Sequence, residues 1–129
     1  MAVNTKLKRN PTKYVRDKAK ARYKKDTACF ICGSTHELDF HHYYSVSTLI
    51  SNWVKKEKVS PEDVLEWRER FIAEHEEELY KEAVTLCHEH HTMLHTIYGK
   101  EPLLFTAKKQ KRWVEIQRGK NGLDIKPNT

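Results

Sequence analysis

Ten residues, Leu86 to His95, hold one cysteine and four histidines: His88, His90, His91 and His95. A chain that is 33% charged, with a mean hydropathy of −0.83, has no packing need for that density. Thiolate and imidazole are metal ligands, and residues 29–42 supply matching partners: Cys29-x-x-Cys32, then Leu38-Asp39-Phe40-His41-His42. Two thiols at i and i+3 can turn toward one ion, and Gly33 permits the left-handed backbone of such a knuckle. Cys87 adds a third thiolate. Repeating the spacing of the first knuckle from Cys87 points to His90 as the fourth ligand, with His88 and His91 close by as alternatives. A set of three thiolates and one imidazole suits tetrahedral zinc in a structural role.

The remaining histidines can hold a second ion. On a helix, positions i and i+4 share a face, so His91 and His95 can reach one ion while His90, about 100° round the axis, turns to the zinc. His41 and His42 sit together at the end of an extended run, where successive side chains project to opposite sides. One of them can ligate while the other reaches a water.

The ordered pattern Cys-x-x-Cys-Gly, Leu-Asp-Phe-His-His, then Val-Thr-Leu-Cys-x-x-His-His-x-x-x-His resembles that of the HNH endonucleases, also called ββα-metal or His-Me finger nucleases, over residues 28–43 and 82–98. The resemblance implies an α+β, mostly helical chain built on a zinc-stabilised ββα-metal core. It implies that His41, His91 and His95 hold a catalytic divalent ion and that His42 is the general base. The family's middle Asn, which ties down the loop carrying the base, falls at Glu82 here. An ionised Glu only accepts hydrogen bonds, so Glu82 is expected to serve a modified version of that role. His90 stands where many members carry a fourth knuckle Cys.

The activity implied is hydrolysis of DNA phosphodiesters, as nicks or double-strand breaks, leaving a 5′ phosphate and a 3′ hydroxyl. The cofactors implied are structural Zn2+ and a catalytic Mg2+, Mn2+ or Ni2+, and a phage or mobile-element source fits. The competing class is a zinc-stabilised nucleic-acid-binding module without catalysis. Glu82 favours that class, and the intact set of His41, His42, His91 and His95 opposes it.

These residues need elements to position them. A single domain over residues 1–129 is expected, with its core in 28–44 and 82–99, a helical insertion at 45–81, and disordered tails at 1–10 and 120–129. Residues 12–25 read as a basic helix capped by Thr12, with Tyr14, Ala21 and Tyr23 toward a core. Residues 37–42 alternate as a strand. Ser47 to Lys58 reads as a short helix with Leu49, Ile50, Trp53 and Val54 inward. Ser60-Pro61-Glu62-Asp63 is a helix start, and that helix is expected to run to about Tyr80 on a stripe of Val64, Trp67, Phe71, His75 and Leu79. His75 on this apolar stripe reads as a packed residue, not a ligand. Residues 83–87 form a second strand, which leads into a helix from His88 to Gly99. Leu103, Leu104 and Phe105 are expected to pack. Thr106 is expected to cap a last basic helix to Arg118, with Trp113 and Ile116 inward and Gly119 and Gly122 ending it.

Charge is segregated. The net charge is +6; residues 1–25 carry ten Lys or Arg against one Asp, and residues 60–82 carry nine acids against three bases. Basic ends suit a polyanion, with Lys18 and Arg22 on the first helix and Lys108, Lys109, Lys111 and Arg112 on the last as DNA-contact candidates. A merely solvated face has the same composition. No apolar run suits a membrane span or a secretory leader. Three cysteines used as thiolates suit the cytoplasm, that of the host cell for a phage-encoded protein.

Overall fold

The computed structural model describes residues 10–123, and the expectations for 1–9 and 124–129 lie outside that range. Among the described residues, five α-helices and one two-stranded sheet make a mostly helical α+β architecture. The chain divides into two compact units: residues up to Lys24 with Val46–Lys81, and Lys25–Ser45 with residues from Glu82 onward.

In the first unit, α1 (Pro11–Ala21) starts at Asn10, whose Oδ1 accepts from the backbone N–H of Thr12 at 2.7 Å and of Lys13 at 3.3 Å. Asn10 therefore displaces Thr12 as the cap, because Pro11 fills the first helical position and needs no partner for a missing N–H. The buried pair is Val15 and Ala19, four residues apart; Ala21 is exposed, and Tyr14 and Tyr23 are half-buried. The Tyr14 hydroxyl accepts from the Arg68 guanidinium.

The second helix, α2 (Val46–Glu57), buries Val46, Leu49, Ile50 and Trp53, and Val54 is half-buried. Ser60 Oγ accepts from Glu62 N at 3.3 Å and starts a 3₁₀ turn, Pro61–Asp63, that continues into α3 (Val64–Glu74). The expected run to Tyr80 is interrupted. At His75 the backbone N–H turns to Ile72 O, and the ring takes over the Phe71 carbonyl through Nδ1 at 2.8 Å while stacking on the Phe71 ring at 4.3 Å. That exchange ends the regular helix, and a single π turn, Glu77–Lys81, follows. His75 is thus a packed, hydrogen-bonded residue. Trp53 lies 5.5 Å from Trp67 and 5.8 Å from Phe71, ring centre to ring centre, so an aromatic cluster forms the heart of this unit.

The second unit is built on β1 (Leu38–His42) and β2 (Ala83–Cys87), antiparallel, with Leu38 opposite Cys87 and His42 opposite Ala83. Helix α4 (His88–Tyr98) follows β2 without a linker, and α5 (Ala107–Lys120) completes the unit. The core joins Ile31, Tyr43, Val84, Leu86, Leu94, Ala107 and Val114 with two of the cysteines. Gly33, at φ 79°, closes the first knuckle through its N–H to Cys29 O at 2.8 Å.

Four expectations fail in this unit. Leu103 and Phe105 are 61% and 76% exposed, because Pro102 is the residue the turn buries. Helix α5 faces the core with Ala107, Gln110 and Val114; Trp113, half-buried, packs against that core as expected, while Ile116 is 44% exposed. Thr106 precedes α5 but donates its hydroxyl to Leu103 O at 2.6 Å and caps nothing. The helix also runs past Gly119 to Lys120.

No helix among the described residues is long and apolar enough to cross a membrane.

Candidate functional site

The strand register and the direct β2-to-α4 connection bring the two halves of the sequence pattern together. One ligand-capable atom from each of Cys29, Cys32, Cys87 and His90 lies within 4.8 Å of the others. Cys32 Sγ is 3.9 Å from Cys87 Sγ, and Cys87 Sγ is 3.3 Å from His90 Nδ1. All three thiols are free. Burial pushes the Cys29 thiol up, but backbone hydrogen bonds from Cys87, Cys32 and Ile31 outweigh it and hold the group below its ordinary value. Burial and the neighbouring Cys29 sulfur push Cys87 up to about 11, against a backbone hydrogen bond from His90. Sulfurs this close resist joint ionisation unless a cation lies among them.

A second cluster joins His41, His91 and His95, again within 4.8 Å. The i, i+4 spacing on α4 sets His91 Nε2 3.0 Å from His95 Nε2. The His41 ring centre, from β1, is 5.3 Å from that of His91 and 5.1 Å from that of His95. On α4, each outer ring nitrogen meets an oxygen. His91 Nδ1 is 3.2 Å from Asp39 Oδ2, and His95 Nδ1 is 2.7 Å from Gly99 O. A carboxylate or carbonyl oxygen accepts, so both Nδ1 atoms carry a proton, and in the neutral rings both Nε2 atoms present lone pairs to one another. Two facing lone pairs call for a cation. Burial draws the His41 ring down to about 3, helped by the neighbouring histidines and opposed by a bond to Gln110, so the ring is neutral at neutral pH, the form that ligates.

Asp39 and His41 alternate onto the face of β1 that meets α4. Asp39 Oδ2 also meets His88 Nδ1 at 3.1 Å; burial raises the carboxyl, but the two histidine bonds outweigh it and hold it below the usual range. His88 is exposed and touches the site only through that carboxylate.

His42 points the other way. It is 7% exposed and lies edge-on to Phe40 at 5.7 Å, outside the three-histidine cluster. The Glu82 carboxylate meets Lys111 Nζ at 3.4 Å through both oxygens, while the Glu82 carbonyl accepts from Tyr43 N at 3.1 Å. Of the basic candidates, Lys108, Lys109 and Arg112 are exposed on α5 and Lys111 is half-buried. In the other unit, Lys18 is exposed with its ammonium 5.7 Å from the Tyr14 ring centre, and Arg22 makes a two-pronged pair with Glu69 at 2.9 and 2.7 Å. The Glu69 hydrogen bond raises Arg22 and the Arg22 bond lowers Glu69.

Sequence reasoning missed three participants: Asp39, the Gly99 carbonyl and Gln110. Asp39 lies two residues before His41 on the same strand face, a placement that could have exposed it. Gln110 shares a spacing of three and four with Ala107 and Val114, which marks it as inward.

A shallow concavity lined by Thr92, His95, Thr96 and Lys100 opens beside the cluster. No solved structure matches the chain. Residues 1–126 match the family model of the phage T5 nicking endonucleases, described as the nicking endonuclease family, and the match spans nearly all of the sequence. The clustered cysteines and histidines therefore sit in a nuclease: the chain belongs to the nicking endonuclease family.

Proposed function

We propose that the chain is a metal-dependent DNA nicking endonuclease that works by HNH chemistry, with a structural zinc at Cys29, Cys32, Cys87 and His90 and a catalytic divalent ion at His41, His91 and His95. Three thiols and an imidazole suit tetrahedral zinc, a closed set with no place left for substrate. The three-imidazole set favours Mn2+ or Ni2+ over Mg2+, which prefers oxygen ligands. The observation that carries the reading is the convergence of His41, His91 and His95.

In this reading His41, His91 and His95 would hold a divalent ion, which would supply positive charge to stabilise the phosphate and the departing 3′ oxygen. The chain's own groups do the rest. His42, neutral near pH 7, accepts the proton of the attacking water, which leaves a 5′ phosphate and a 3′ hydroxyl. The Glu82 carbonyl holds the N–H of Tyr43, the residue directly after His42, and so fixes the end of the strand that carries the base. Lys111 holds the Glu82 carboxylate in turn, which gives Glu82 a backbone version of the role an Asn side chain plays in the resembling family. Lys18, Lys108, Lys109 and Arg112 contact phosphates and displace counterions. Lys111 and Arg22 join them only by exchanging Glu82 and Glu69 for phosphate. A phage-encoded enzyme of this kind acts in the host cytoplasm, where its thiols stay reduced.

Ion counting tests the assignment. Chelator-stripped protein refilled with Zn2+ and Mn2+ should hold two ions per chain, and His91→Ala should hold one. An unchanged count in that variant would remove the second site.

A further inference from the structure

Gln110 is a fully buried polar side chain with no part in that mechanism. Gln110 lies on α5 with no solvent exposure, outside both strands and α4. Its amide makes three hydrogen bonds. Nε2 is 3.1 Å from Tyr43 O and 2.9 Å from Thr106 Oγ1, and Oε1 is 2.7 Å from His41 Nε2.

The direction of every bond in this chain is fixed. The Tyr43 carbonyl can only accept, so the amide nitrogen must face it. The Thr106 hydroxyl spends its single proton on Leu103 O at 2.6 Å, so its oxygen is left to accept from the same amide nitrogen. Both neighbours on that side demand a donor, and the amide cannot be turned over without setting carbonyl oxygen against carbonyl oxygen. The Gln110 oxygen therefore faces His41, and His41 Nε2 must carry the proton. Its lone pair is then on Nδ1.

We infer that Gln110 is a positioning residue for the second ion: it locks His41 in the Nε2–H tautomer and thereby commits Nδ1 as the ligand atom. This rests on the reading of His41 as an ion ligand. It completes a pattern in which each of the three histidines has one ring nitrogen held by an oxygen: Asp39 for His91, the Gly99 carbonyl for His95 and Gln110 for His41. Outer partners of this kind fix ring orientation and raise ligand basicity. The strand register alone leaves the His41 ring free to rotate, and the third partner comes from a helix about seventy residues downstream. The buried Gln thus ties α5 to the site.

The test uses the full chain. Nitrogen-15 spectra of the histidine rings in protein that keeps its structural zinc but lacks the second ion should show His41 as a single Nε2–H tautomer. In Gln110→Met, which keeps the volume but removes the acceptor, His41 should populate both tautomers and affinity for Mn2+ should fall by roughly 10–100-fold. Zinc content at the cysteines should not change. Thr106→Val removes a different partner of the same amide and leaves the acceptor in place, so it should preserve both the tautomer and Mn2+ affinity; a purely structural role would make the two variants behave alike. A mixed His41 tautomer in the wild type overturns the inference, even where Gln110→Met fails to fold. So does Gln110→Met with unchanged Mn2+ affinity. If the wild type takes up no ion beyond the zinc while His41 remains a single Nε2–H tautomer, the ligand assignment is what has failed, not the hydrogen-bond geometry.

Discussion

Replacing Gly99 by alanine isolates the contribution of one backbone carbonyl to the histidine cluster. Gly99 ends α4 at φ 93° and ψ 169°, a region that only glycine occupies readily. A Cβ added there would meet no atom within 4 Å, so the substitution creates no clash, and its whole cost is conformational. Holding a non-glycine residue in such a region costs about 1–3 kcal/mol. The chain can respond in two ways. It can keep the backbone and lose that much stability. It can instead rotate the 98–100 peptides toward ordinary φ, which swings the Gly99 carbonyl off His95 Nδ1, now 2.7 Å away. The second route releases the ring and transfers the cost to ion affinity, where the same range corresponds to roughly 5- to 150-fold. Denaturant unfolding of zinc-loaded protein without the second ion and Mn2+ titration, run on the same Gly99→Ala sample, should show losses that together fall in that range. A variant with wild-type stability and wild-type Mn2+ affinity would refute both the strain argument and the role of the carbonyl.

Other perturbations test separate parts of the account. His41 is held at about 3 against an ordinary 6.5, so the unfolded chain takes up the proton first; protein that keeps its zinc but lacks the second ion should hold this contribution in full above about pH 6.5 and lose up to ~5 kcal/mol as pH falls toward 3. Urea midpoints across that range should fall steadily, and His41→Gln should flatten the slope; a pH-independent midpoint in the wild type would contradict the burial argument. Phe71, fully buried between Trp53 and His75, should cost about 3–5 kcal/mol as Phe71→Ala, read as a drop in the unfolding midpoint, and a loss below 1 kcal/mol would mean the aromatic cluster is not the core of its unit. Cys29→Ser should lose the zinc and with it the fold around β1 and β2, since structural zinc binding is folding free energy; a soluble, folded, zinc-free variant would show the knuckle to be dispensable.

Much of the site was legible because ligand spacing is a local property. Cys29 and Cys32 share one turn, Cys87 and His90 another, and His91 and His95 one helix face, so the sequence names them before any fold is known. Strand alternation likewise separates His41 from His42, and the structure sets the two on opposite faces. What stayed hidden depends on distant partners. Gln110 sits among lysines in a strongly basic helix, and its burial makes sense only once His41, Tyr43 and Thr106 surround it. Asp39 read as one more polar residue of an alternating strand until α4 brought His88 and His91 over it. The end of α3 was invisible for a similar reason: the stripe of Val64, Trp67, Phe71 and His75 continues the helical period, but the His75 ring competes with the backbone for the Phe71 carbonyl. Leu103 and Phe105 show the opposite error, because apolar type alone does not decide which residue of a turn is buried.

If a histidine-held ion and the His42 base together cut DNA, cleavage of closed circular plasmid reports both. Protein holding only its structural zinc should be inactive in EDTA and should convert supercoiled plasmid to open circles when Mn2+ or Ni2+ is supplied in excess. His42→Ala should bind the same two ions and leave the plasmid closed. Nicking that survives EDTA, or that proceeds at the wild-type rate in His42→Ala, would contradict the account.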